Sequence, residues 1–179
     1  MFKKILIVLG VAIAAFVIVA ALQPADFKVV RSASISAAPT AVFAQVNDLH
    51  KWQAWSPWEK LDPAMKRTFE GPASGVGAIY AWDGNKDVGA GRMTITDSKP
   101  DERIVMKLEF FKPMAGVNTT EFTFKSEGKG TTVAWTMTGQ KNFVSKAVCL
   151  FMNMDKMIGG QFEEGLANLQ KVVGTPAAK

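Results

Sequence analysis

Residues 5–22, ILIVLGVAIAAFVIVAAL, are 18 consecutive residues without a charge, opened by Ile5, closed by Leu22 and preceded by Lys3 and Lys4. In apolar surroundings a backbone must satisfy its own N–H and C=O groups, and a single segment does so only as a helix. At 1.5 Å per residue such a helix is about 27 Å long, close to the ~30 Å hydrocarbon core of a bilayer. It is apolar all round, which suits lipid better than one face of a core. A cleaved signal peptide and an uncleaved anchor both fit this description. Signal-peptide apolar regions are usually ~7–15 residues, and this run is longer. Leu22, Gln23 and Pro24 follow Ala20 and Ala21 without an A-x-A cleavage pattern. The reading is therefore a transmembrane anchor over residues 1–23, with a cleaved signal as the alternative.

Pro24 stops the helix, and the residues beyond it are enough for one domain with its own core. The net charge of +5 includes Lys3 and Lys4, and no five or six like charges run together. That pattern argues against nucleic acid as a partner and suits attraction to anionic lipid near the anchor. A single cysteine, Cys149, forbids an intramolecular disulfide and reads as a buried thiol. One histidine, His50, argues against a His-rich metal site and a His-based triad. No metal and no cofactor are expected.

The remainder alternates between extended segments and turn signals. Residues 27–36 read as a first strand. Pro39 then opens a helix, with Ser36 or Thr40 as candidate caps and Val42, Phe43, Val46 and Leu49 on one face, ending between His50 and Trp55. Strands follow at 65–70, 77–82, 88–96, 103–111, 117–125 and 132–137. Gly71-Pro72, Asp83-Gly84-Asn85, Lys99-Pro100-Asp101, Pro113 and Gly128-Lys129-Gly130 close them in turn. Inward parity falls on Tyr80, Trp82, Met106, Phe110, Phe122, Phe124, Trp135 and Met137; Glu109 and Glu121 take the other face. At 143–173 the apolar period changes to three or four residues, through Phe151, Met154, Ile158, Phe162, Leu166 and Leu169. This predicts one long amphipathic helix, bent at Gly159-Gly160. The fold class is α+β: a curved antiparallel sheet wrapped around a long C-terminal helix, preceded by one transmembrane helix. The Gly-rich stretch 83–91 lies between strands and reads as a hairpin with a bulge, since a phosphate cradle needs its glycines at a helix start.

Ala38-Pro39, Val42-Phe43, Asp48 and Trp52 resemble the opening of the START-like, or SRPBCC, superfamily. The run from Trp55 through Pro57 to Trp58, the glycines Gly75 and Gly77, and Gly165-Leu166 with Leu169 are similar to its bacterial polyketide cyclase/dehydrase-like branch. The resemblance spans residues 27–173 and implies a helix-grip, Bet v 1-like domain. Residues 174–179 are then a short disordered tail. A bacterial chain with Lys3 and Lys4 on the cytoplasmic side is a single-pass protein of the inner membrane with its domain in the periplasm. The alternative is release into the periplasm after cleavage. The superfamily has no shared catalytic motif to carry over, and no catalytic residue is assigned.

The resemblance implies a cavity between sheet and helix for a lipid or other hydrophobic small molecule. Its lining would be the eight inward strand residues together with Trp52, Trp55, Trp58, Met154, Met157 and Phe162. Methionine and aromatic side chains suit an irregular apolar ligand, although a solid core has the same composition. A ligand cavity calls for roughly 300 Å³ or more. A cyclase or dehydratase would need a polar pair deep inside. An envelope-protein interaction module would show an exposed apolar patch around Trp52, Trp55 and Trp58.

Overall fold

The computed structural model describes residues 1–174. The apolar run forms α1 (Phe2–Leu22), with every side chain exposed except that of Ala20. Its mean hydropathy of 3.2 and its 21-residue length are sufficient to cross a membrane, and a signal sequence meets the same standard. Gln23 turns the chain out of the helix, and β1 (Asp26–Ile35) begins three residues later.

The expected meander is present. β2 (Lys66–Glu70), β3 (Ile79–Asp83), β4 (Ala90–Lys99), β5 (Arg103–Lys112), β6 (Gly116–Glu127) and β7 (Gly130–Gln140) follow β1 in one antiparallel sheet. The order across the sheet is β1-β7-β6-β5-β4-β3-β2, so the first strand closes beside the last, with Val29 opposite Met137 and Ala33 opposite Val133. Apolar residues at every second position make one face of each strand apolar, and that face is buried: Ile104, Met106 and Leu108 on β5, Val133, Trp135 and Met137 on β7. The hairpin at 83–91 pairs β3 with β4 in unbroken register, Asp83 opposite Ala90, without the expected bulge; the register shift at Ala90 and Gly91 belongs to the β4–β5 pair, where Phe111 is the extra residue.

Between β1 and β2 the chain crosses to the far edge of the sheet through α2 (Pro39–Asn47), a 3₁₀ turn (Leu49–Ala54) and α3 (Trp58–Leu61). Pro39 sits at the start of α2, where its missing N–H costs nothing. Neither Ser36 nor Thr40 caps that helix. The N-cap is Ala38 without a side-chain bond, and the Thr40 hydroxyl donates to Asp101 at 2.7 Å instead. Asp48 accepts from the His50 amide at 3.0 Å and starts the 3₁₀ turn.

The C-terminal helix departs from its expected course. It is interrupted at 150–153, giving α4 (Phe143–Cys149) and α5 (Met154–Gly174), and α5 continues through Gly159-Gly160 as one helix. Asn153 restarts it: its side chain accepts from the Lys156 amide at 3.0 Å, as an N-cap asparagine does. α5 lies along β1, and Gly159 sits where a β-carbon would come within 2.1 Å of the Arg31 guanidinium. The glycine pair therefore makes room for a side chain rather than bending the helix. Except for Gly174, which ends α5, the tail expected at 174–179 lies outside the described residues.

Candidate functional site

The concave face of the sheet, closed by α5 and by the α2–α3 crossing, gathers nearly all the side chains expected to line a cavity. Trp52, Trp55, Tyr80, Met106, Phe122, Phe124, Trp135, Met137 and Phe162 are buried there, and Trp58, Trp82 and Phe110 pack against them half-buried. Met154 is half-buried at the first turn of α5. Met157 is the exception, 51% exposed. The stripe of α5 that faces the sheet runs through Ile158, Phe162, Gly165, Leu166 and Leu169, and Met157 stands about 100° off it.

These rings touch one another. Trp135 stacks on Phe162 with centroids 4.1 Å apart and planes within 6°, and Phe122 lies 4.7 Å away on β6. Trp52 and Trp55 meet at 4.5 Å and turn their edges toward Trp135. In this conformation aromatic contacts fill the space in which an open cavity was expected. Two grooves, of about 680 and 330 Å³, open elsewhere. One lies beside Asp26, Val117 and Gln140 at one end of the sheet, the other beside Ser34, Glu127 and Thr132 at the other end. Trp52 and Trp55 are interior, so they form no exposed docking patch.

Among the described residues two buried side-chain polar atoms have no hydrogen-bond partner, the Trp135 indole N–H and the Gln161 amide oxygen on α5. The indole N–H of Trp52 donates to the Val46 carbonyl at 2.9 Å, that of Trp55 to Gln45 at 3.3 Å and that of Trp82 to Val88 at 3.1 Å. The indole N–H of Trp135, buried to 2% exposure, donates to nothing. An unmade buried hydrogen bond costs about 1–3 kcal/mol. Gly165 is required beside this ring, because a β-carbon there would stand 2.8 Å from Cζ3 of Trp135.

A polar trio occupies the opposite edge, under α3. Glu59 of α3 accepts from Nε of Arg67 at 2.7 Å and from the Tyr80 hydroxyl at 2.8 Å, and Arg67 also donates to the Met65 carbonyl at 2.7 Å. Burial, and then the hydrogen bond to Glu59, push the Tyr80 phenol well above the usual tyrosine range. The hydrogen bond to Glu59 likewise raises the Arg67 guanidinium. The phenol is thus a fixed donor, and the trio satisfies itself. Glu59 was not foreseen, yet a signal exists. Arg67 alternates with Met65 and Phe69 at inward parity, so it needs an acid from the covering segment. Arg92 points outward and binds Glu109 at 2.7 Å. Lys107 and then Arg92 hold the Glu109 carboxyl below its ordinary range. Among the described residues no three His, Cys, Asp or Glu side chains converge as a metal site.

Residues 26–174 match the family described as polyketide cyclase / dehydrase and lipid transport. No curated protein matches the chain. Among solved structures, protein CV1439 of Chromobacterium violaceum is 15% identical with a TM-score of 0.60, over 86% of this chain and 99% of its own. The Aha1 dimer of Colwellia psychrerythraea is 14% identical at 0.60, over 85% and 99%. Ara h 8.0201 is 10% identical at 0.57, over 83% and 97%. At such identities these structures attest to the helix-grip fold.

Proposed function

The chain belongs to the polyketide cyclase / dehydrase and lipid transport family, and on that footing we propose that it is a membrane-tethered binding module for an apolar molecule that carries a hydrogen-bond acceptor. The ligand would lie between the sheet and α5, among Trp58, Phe122, Trp135 and Phe162. The observation that carries this reading is the partnerless indole N–H of Trp135, the one buried side-chain donor left open among the described residues, in a ring-lined interior. A ligand with an ester, amide or phosphate oxygen satisfies it.

The rings are in contact, so the ligand enters only when α3 and the first half of α5 move off the sheet. One surface clasp holds that lid to the sheet, Arg31 of β1 to Asp155 and Glu163, while Lys60 and Glu164 tie α3 to α5 within it. The apparent affinity is the intrinsic affinity reduced by the fraction of open molecules. α1 serves as the anchor, the domain is taken as residues 27–173, and the short linker after Leu22 keeps it near the bilayer, so a molecule drawn from lipid is the natural ligand. The self-satisfied trio of Glu59, Arg67 and Tyr80 acts as a brace for α3.

The test is gentle detergent extraction of the full chain, native mass spectrometry, and identification of any retained lipid. The expected result is a stoichiometric amphipathic species that is lost in Trp135→Phe. If neither the extracted protein nor protein titrated with membrane lipid extract retains a molecule, the reading fails.

A further inference from the structure

Beyond α1, the largest group of exposed apolar side chains in one stretch is at Phe143, Val144, Val148, Phe151, Met152 and Met157, with a smaller one at Phe111, Met114 and Val117. α4 has no buried residue, so it contributes nothing to the core of the domain. Its packing partner is α1. Phe151 stacks on Phe16 with centroids 6.1 Å apart, and the Lys146 ammonium donates to the Ala21 carbonyl at 3.3 Å.

These two contacts set a depth. Ala21 lies in the last turn of α1, and Phe16 lies five residues before it, about 7.5 Å further along the axis. An element that touches both runs beside the final stretch of α1, where α1 leaves the membrane if it spans one. In that setting Phe151, 80% exposed in this structure, is surrounded by acyl chains. Water would solvate such a patch at about 25 cal/mol per Å² of apolar area, and lipid removes that cost. The charges agree. Lys141, Lys146 and Lys156 flank the patch, while Asp155, the single acid among residues 141–157, is bound by Arg31 at 2.9 Å. Lysines at this level reach anionic headgroups while their stems stay in the apolar layer.

We propose that α4 and residues 150–153 are a second membrane-contacting element. They insert into the leaflet on the domain side of α1, with Lys146 among the headgroups and Phe151 and Met152 among the acyl chains. This rests on the reading of α1 as an anchor. It gives the domain a fixed face toward the lipid, with the start of α5, the part of the lid that must lift, at the bilayer surface.

The experiment uses the full chain in vesicles of phosphatidylethanolamine and phosphatidylglycerol, in a Cys149→Ser background. Single cysteines from Phe151→Cys, Val144→Cys, Gly10→Cys and Lys129→Cys carry an environment-sensitive fluorophore, and lipid-borne spin labels serve as quenchers. The expected result is blue-shifted, lipid-quenched emission at 151, 144 and 10, deepest at 10, and water-like emission at 129 in the β6–β7 turn. Agreement between 144 and 151 guards against a label that merely disturbs the Phe16 contact. Water-like emission at 151 and 144 with a lipid signal at 10 overturns the second element and leaves the anchor standing. Water-like emission at all sites, or isolation of a chain that lacks residues 1–22, overturns the anchor and this inference with it.

Discussion

Arg31 shows how much a single side chain can decide. It stands at inward parity near the edge of the sheet, between Val29 and Ala33, in a position the pattern reserves for apolar residues. It is tolerated there because the edge is open enough for its guanidinium to pass beside Gly159 and reach Asp155 at 2.9 Å and Glu163 at 2.6 Å. The Arg31 hydrogen bond holds the Asp155 carboxyl below its ordinary range, and Asp155 in turn raises Arg31. A carboxyl whose folded pKa is depressed contributes stability that is fully present above its unfolded value, about 3.9 for aspartate. That contribution disappears as pH falls through the folded value. Thermal melts of the wild type and Asp155→Asn should therefore differ by a constant amount from pH 5 to 7 and converge below about pH 4. Curves that stay parallel down to pH 3 would show that the pair adds no pH-linked stability.

At the scale of elements, α5 carries the clearest contrast. Its two adjacent glycines look equivalent in the sequence and are not. Gly160 has open space where a β-carbon would go, and Gly159 has the Arg31 guanidinium. Gly160→Ala is expected to stabilise by about 1 kcal/mol, the ordinary helix-propensity gain. Gly159→Ala should lose that gain by displacing the clasp and come out neutral or destabilising. Urea unfolding of the two variants side by side reads the difference. The same helix shows why the break at 150–153 was missed. Phe151 and Met152 continue the apolar spacing, and periodicity does not say whether an apolar side chain faces the sheet or another helix. Asn153 was the available signal, since a capping residue inside an apolar pattern marks a restart. The strands were easier to read. Alternation at Ile104, Met106 and Leu108 or at Val133, Trp135 and Met137 has only one buried solution, because a slip of one residue exposes the whole set.

For the molecule as a whole, the strand order places β1 against β7 and leaves α5 lying along β1, so the helix proposed to lift is held by an edge strand. Opening costs the clasp contacts and the stacking of Trp135 on Phe162. Arg31→Ala removes the clasp outside the ring-lined interior. It should accelerate uptake of an apolar fluorescent probe by the full chain in detergent micelles several-fold, with the plateau rising as the open fraction grows. Uptake at the wild-type rate would place the lid elsewhere. The helix-grip architecture and the placement of the aromatic residues on its inner face were legible in the sequence; the filled interior was not.

The sequence by itself determined the seven strands, which face of each strand is apolar, and that one helix is long and greasy enough for a bilayer. Each depends on neighbours within a few residues, so local periodicity carries it. Tertiary structure alone decided the rest. Glu59 meets Arg67 and Tyr80, Arg31 meets residues more than a hundred positions away, Trp135 is left without an acceptor, and Phe151 comes to rest on Phe16. Such contacts depend on the distance between elements. That distance is the joint result of every side chain packed between them, and no short stretch of sequence contains it.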